Sequence, residues 1–188
     1  MSQVTLPEAL PDLPDGLKVV PISEIPKPPA VQDTPVLDPA ALFRVALRMW
    51  EICLREDGVG LAAVQVGIPW RMFVTDIGRR GLEIFLNCSY RPVDDRLVRS
   101  IEGCISLPKN ASGRRPQYEV ARALNVRFEG MKLVKDEKYF IKPVSEIVTG
   151  LRGIVYQHET DHQNGLLLSD VGRLFIEPTG GGASLLPA

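Results

Sequence analysis

His158 and His162 are the two histidines of the 188-residue chain, and they lie four positions apart with Glu159 directly after the first. On a helix the two differ by roughly 40° in direction, so both imidazoles share a face and can grip one metal ion. Glu159 sits roughly 100° round from His158, close enough to serve as general base without ligating the ion. Two histidines satisfied by ordinary hydrogen bonds are the plain alternative, and the added glutamate makes it the weaker one. A catalytic metal site keeps three protein ligands and one open position, so a third ligand must come from elsewhere. Cys53, Cys88, Cys104 and Glu177 are the candidates. Cys53 falls on an apolar helical stripe and Cys88 ends a strand-like run, settings in which a cysteine usually packs as a small hydrophobe. Cys104 lies in Glu102-Gly103-Cys104-Ile105-Ser106-Leu107-Pro108, a tight Gly/Ser/Pro segment from which a thiolate can project beside free N–H groups.

The elements that must position these groups can be read from periodicity and end signals. A helix is expected over about 149–162, stopping near Asn164-Gly165. Its histidines share a stripe with Leu151, Ile154 and Val155, while Tyr156, Thr160 and Gln163 are expected to point outward. A second helix follows Asp38 as N-cap and Pro39 at the first helical position. Its buried stripe is Leu42, Val45, Ala46, Met49 and Cys53, and Asp57-Gly58 supplies a terminator. Strands are expected over 71–75, 82–87, 97–100, 118–128 and 132–141, the last two separated by a turn at Glu129-Gly130. A further short strand is expected at 19–22. The fold class is α+β: mixed or antiparallel strands around a central metal-binding helix that carries the HExxH motif. The expected organisation is a Pro-rich arm (1–37), a single catalytic domain (38–178) and a disordered Gly-rich tail (179–188).

One motif misleads. Gly58-Val59-Gly60-Leu61-Ala62-Ala63 matches the dinucleotide fingerprint, and Asp76 comes at a suitable distance after it. That fingerprint needs a strand before it and a helix after it. Here a helix precedes it, and Gly67 and Pro69 allow no proper helix on its far side. The glycines instead suit close approach of backbone to a substrate, with Gln65 offering an amide donor.

Composition narrows the setting. Net charge is −1 with 24% charged residues, which gives no electrostatic footprint for nucleic acid. No apolar run reaches the length of a membrane span, and the N-terminal residues lack a secretory or transit pattern. Three cysteines without close pairing suit a reducing, cytoplasmic location.

Taken together, residues 58–65, 102–106 and 157–162 resemble three motifs of the peptide deformylase family, in the family's order. The resemblance covers about residues 34–170. It implies Cys104, His158 and His162 as metal ligands and Glu159 as catalytic carboxylate. Gln65 and the backbone N–H of Ile105 would then be the oxyanion donors. Gly60, and Gly103 beside it, would face the substrate backbone. Val59, Leu151, Ile154 and Val155 would line the pocket for a methionine side chain. The implied cofactor is one divalent ion, Fe²⁺ natively, with Zn²⁺ or Ni²⁺ as substitutes. The implied substrates are N-formyl-methionyl peptides, presented by ribosome-associated nascent chains, and the implied product is formate. The chain departs from the family pattern at Ile105, Gln163, Cys88 and Ala111. Three rival readings stand at this point: a zinc metallopeptidase using Glu177 as third ligand, a non-enzymatic member that binds formylated peptides or partners, and a hydrolase of other acyl amines.

Overall fold

The computed structural model describes residues 17–35, 38–78 and 81–176. Within them, eight strands and three helices run in the order α1 (Pro39–Arg55), β1 (Gly60–Ala62), β2 (Met72–Thr75), β3 (Glu83–Pro92), β4 (Leu97–Gly103), β5 (Gln117–Ala123), β6 (Asn125–Lys135), β7 (Tyr139–Thr149), α2 (Gly150–Gln163), α3 (Leu168–Val171) and β8 (Gly172–Phe175). They form a five-stranded sheet, β1-β2-β3-β6-β7, and a three-stranded sheet, β4-β5-β8, both antiparallel throughout.

The larger sheet is buried on both faces, and strand alternation divides its side chains between two cores. Met72, Val74, Ile84 and Leu86 face Leu42, Val45, Met49 and Cys53 of α1. Phe73, Phe85 and Phe128 face the other way, onto Tyr156 and Val155 of α2. Four of these rings form a cluster with centroids 4.6–6.1 Å apart. Helix α2 also reaches the smaller sheet, because both the N–H and the C=O of Ala123 on β5 bond to the Gln157 amide.

Helix α1 begins as its sequence predicts, with Asp38 Oδ1 accepting from the Ala40 N–H at 3.1 Å. It ends differently. Asp57, not Gly58, takes the left-handed conformation (φ 56°). Gly58 is needed for another reason: a Cβ there would come within 2.8 Å of the Cys53 sulfur.

Several sequence expectations are corrected. Residues 19–22 form no strand: Val20 donates to the Gln65 carbonyl, and Pro21, which has no N–H, stops any ladder before a 3₁₀ turn at Ile22–Glu24. The expected strand 118–128 is two strands in different sheets, broken at Leu124, whose N–H bonds to Arg96 and whose carbonyl accepts from Thr149 Oγ1. Gly130 is not a turn. It lies inside β6 at φ 156°, where a Cβ would collide with the Cys88 sulfur, opposite the register irregularity of β3 between Leu86 and Ser89. The reversal comes instead at Asp136–Lys138, closed by Asp136 N–H to Lys138 O at 3.1 Å. Tyr156, Thr160 and Gln163 do not face outward: each is fully buried. With sheets packed against α2, its polar-looking side is core. Its apolar stripe faces a cleft, where Leu151 remains 61% exposed.

The described part of the Pro-rich arm lies along the domain. Gln32 bridges to Trp70, Ile25 is buried in the α2-side core, and Thr34 exchanges hydrogen bonds with Asn87. The tail 179–188 and Glu177 fall outside the described residues. Among the described residues, no helix is long and apolar enough to cross a membrane.

Candidate metal centre

Three side chains converge at the wall of the cleft. Cys104 comes directly after the last residue of β4, and His158 and His162 stand one turn apart on α2. Their donor atoms all lie within 4.8 Å of one another. His158 Nε2 and His162 Nε2 are 3.1 Å apart, Cys104 Sγ is 3.4 Å from His162 Nε2, and the imidazole planes are near perpendicular at 88°. Among the described residues this is the one such cluster. Burial opposes ionisation of the Cys104 thiol, but the imidazoles of His162 and His158 outweigh it and hold the thiol well below its ordinary range. Cys53 and Cys88 behave oppositely, each pushed up to about 12 by burial. Cys104 is therefore the cysteine set up as a thiolate.

The His158 ring is fixed from behind. Glu102 Oε2 lies 2.9 Å from its Nδ1, which places a proton on Nδ1 and turns the Nε2 lone pair toward Cys104 and His162. Arg122 clasps both Glu102 oxygens at 2.8 and 2.9 Å and holds the carboxyl down to about 2 against its burial. A thiolate and two oriented imidazoles are a donor set that fits one divalent transition-metal ion. Neither Glu102 nor Arg122 was assigned a role from sequence. Glu102 sits in the motif that carries Cys104, but its partner comes from another strand.

Glu159 is 3% exposed, and its Oε2 has no hydrogen-bond partner among the described residues. Burial pushes its carboxyl up to about 7, against the pull of His158 and His162. Gly60 passes directly over it: a Cβ at Gly60 would stand 2.6 Å from Glu159 Oε1, so that approach requires glycine. Gln65 is delivered by a 3₁₀ turn, Ala63–Val66. Its Oε1 accepts from the Ala62 N–H at 2.8 Å, and its Nε2 reaches Ser106 Oγ at 3.0 Å and Cys104 Sγ at 3.3 Å. The Ile105 N–H has no acceptor among the described residues.

A chain in the polypeptide deformylase family should match that family along most of its length, and this one does: the family profile matches residues 22–173. The chain belongs to the polypeptide deformylase family. The peptide deformylase of Agrobacterium fabrum is 31% identical over 160 residues, covering 82% of this chain and 87% of that protein. The peptide deformylase of Clostridium botulinum is 40% identical over 123 residues, covering 65% and 74%. The crystal structure of peptide deformylase from Thermotoga maritima superposes with a TM-score of 0.64 at 29% identity, covering 82% of this chain and 96% of that one. The chain is accordingly a hydrolase that removes the N-formyl group from nascent peptides, in a family that is metal-dependent.

The deformylase cleft has a volume of about 840 Å³. Val59, Gly60 and Gln65 line one side, Gly103, Cys104 and Ile105 another, and Leu151, Ile154, Val155, His158 and Glu159 come from α2. His162 lies behind this lining at 2% exposure. The structure thus brings together Cys104, His158, His162, Glu159, Gln65, Ile105 and the expected substrate-facing residues, and leaves Cys53 and Cys88 elsewhere in the core. Val59 is 53% exposed and stands at the mouth, whereas Val155 is buried within.

Proposed function

We propose that Cys104, His158 and His162 hold one divalent ion and that Glu159 is the acid–base group of deformylation. The substrates are N-formyl-methionyl peptides, and the products are formate and a free N-terminal methionine. One observation carries this reading: the Cys104 sulfur and two imidazoles lie within 4.8 Å of one another at the wall of a cleft that also contains the unpartnered buried carboxyl of Glu159. A bound divalent ion supplies a Lewis acid and activates water at neutral pH.

The chain's own residues divide the remaining work. Glu159 accepts the proton of the attacking water and returns it to the departing amine. Its raised pKa suits both roles. Gln65 Nε2 and the Ile105 N–H donate to the formyl oxygen as charge develops on it. Gly103 ends β4, an edge strand, so its backbone groups are available to an extended peptide, with Gly60 on the other side. Val59, Leu151, Ile154 and Val155 take the methionine side chain. Fe²⁺ is the proposed native ion, with Zn²⁺ and Ni²⁺ able to substitute, since the Cys/His set suits all three. The proposed setting is the cytoplasm, with ribosome-associated nascent chains as the source of formylated substrate.

The test is metal content measured beside activity. The wild-type chain should carry one equivalent of Fe²⁺ or Ni²⁺. Cys104→Ala should carry far less and release no formate from a formyl peptide. Undiminished metal in Cys104→Ala would remove that residue from the ligand set.

A further inference from the structure

Behind His158 a chain of buried polar groups continues past the residues already described. Arg122 spends Nε and Nη2 on Glu102, and its remaining nitrogen, Nη1, donates to Asp161 Oδ2 at 2.5 Å. The other oxygen of Asp161 accepts from the Tyr90 hydroxyl at 2.7 Å. Glu102, Arg122 and Asp161 are 7%, 3% and 4% exposed. The path from Tyr90 to His158 therefore crosses β3, α2, β5 and β4 before returning to α2, and every link is a hydrogen bond of 2.9 Å or less.

The arrangement has a mechanical logic. A guanidinium is a planar fork, and Glu102 is aligned with it through two parallel bonds. The fork keeps its plane only if its far end is also held, and Asp161 holds it. A carboxylate anchored through one oxygen can swing about its terminal torsion; anchored through both, it cannot. Among the described residues, Tyr90 is the side-chain partner of Asp161 Oδ1. Tyr90 comes just after the irregular stretch of β3 between Leu86 and Ser89, a feature that re-aims the side chains near it.

The geometry points to Tyr90 as a positioning residue for the metal centre: its hydroxyl fixes Asp161 and, through Arg122 and Glu102, the ring plane and tautomer of His158. This rests on the metal assignment proposed above. Tyr90 touches neither substrate nor ligand atoms. Without its hydroxyl, Asp161 turns to find another donor, Arg122 moves with it, and the Glu102 carboxylate no longer holds the imidazole in one orientation. Metal affinity falls although every ligand is still present.

Helix α2 supplies a matched control. The Tyr156 hydroxyl also bonds a buried carboxylate, Glu83 Oε2, at 2.8 Å. Glu83 leads to Lys132 and Arg152, away from the ligands. Loss of either hydroxyl removes one tyrosine–carboxylate bond, but only Tyr90 is linked to His158.

The experiment is titration of metal-free protein with Co²⁺ against a competing chelator, on the wild type, Tyr90→Phe and Tyr156→Phe. The visible absorption of bound Co²⁺ and thermal unfolding of the metal-free protein are recorded beside it. Tyr90→Phe should raise the Co²⁺ Kd about tenfold, the lower end of what outer-shell partners of a metal ligand contribute, and should alter the Co²⁺ spectrum. Tyr156→Phe should lower the melting temperature while leaving Kd and spectrum as in the wild type. In a Glu102→Gln background, where the link is already cut, adding Tyr90→Phe should change Kd by less than about threefold. A Kd for Tyr90→Phe within about twofold of wild type would overturn the proposal. So would equal weakening by Tyr156→Phe, or a full additional loss in the Glu102→Gln background. Failure of the wild-type chain itself to bind Co²⁺ would overturn the metal assignment, and this inference with it.

Discussion

Two features of its surroundings suit Glu159 to the proposed proton exchange: burial raises its pKa to about 7, and Gly60, lacking a side chain, passes directly over its carboxyl without displacing it. Glu159→Ala is expected to retain the metal and lose about 10²–10⁴ in kcat, measured as formate release beside metal analysis. Gly60→Ala is expected to lose activity as well, because its Cβ would occupy space within 2.6 Å of Glu159 Oε1. The pH dependence has a defined sign. Glu159 must be ionised to accept a proton, so kcat/KM should be held above its pKa and lost as pH falls through it. The positive charge of a bound ion moves that midpoint below about 7. A profile flat through the whole carboxylate range would remove Glu159 from the rate-determining chemistry. At this scale the histidine pair, Glu159, Cys104 and Gln65 were legible because each lies in a short segment of distinctive composition. Glu102, Arg122, Asp161 and Tyr90 were not. Their meaning comes from pairings 20 to 71 residues apart in the chain, which local spacing does not reveal.

Among the elements, α1 was legible to within its end because its signals are local: an Asp–Pro start and a stripe at spacings of three and four. The extent of α2 was equally plain, but its orientation was read backwards. A helix packed against two sheets buries its polar-looking side, and Thr160 and Gln163 are in the core for that reason. The division of 117–135 into β5 and β6 depends on which sheet each half joins, and alternation cannot express that. Gly130 shows the same limit: it reads as a turn and is a point of contact with Cys88. Gly130→Ala is expected to destabilise the fold by about 1–3 kcal/mol, through positive φ and collision with the Cys88 sulfur. A denaturant titration checks this, and an unchanged midpoint would mean that β6 relaxes there at little cost.

In the whole molecule, the two sheets and α2 meet so that the proposed ligands, Cys104 just past β4 and the two histidines of α2, are brought together only when the domain is assembled. Metal binding should therefore report on folding as well as chemistry. Chelation is expected to lower the melting temperature, and re-addition of Fe²⁺, Ni²⁺ or Zn²⁺ to restore it. Part of the cleft lining is tied down by Arg115, which bonds Glu56 at 2.5 Å and the Leu107 carbonyl at 3.0 Å. The α+β class could be read from the mixture of elements, but the three-layer order of α1, sheet and α2 emerges only from the two-sided burial of β2 and β3. The central claim, that this assembled cleft hydrolyses a formamide, is tested most directly by formate release. Anaerobically purified protein loaded with Fe²⁺ or Ni²⁺ should release formate from an N-formyl-methionyl tripeptide and leave the N-acetyl counterpart intact. No formate from metal-loaded protein, or equal cleavage of the acetyl peptide, would contradict it.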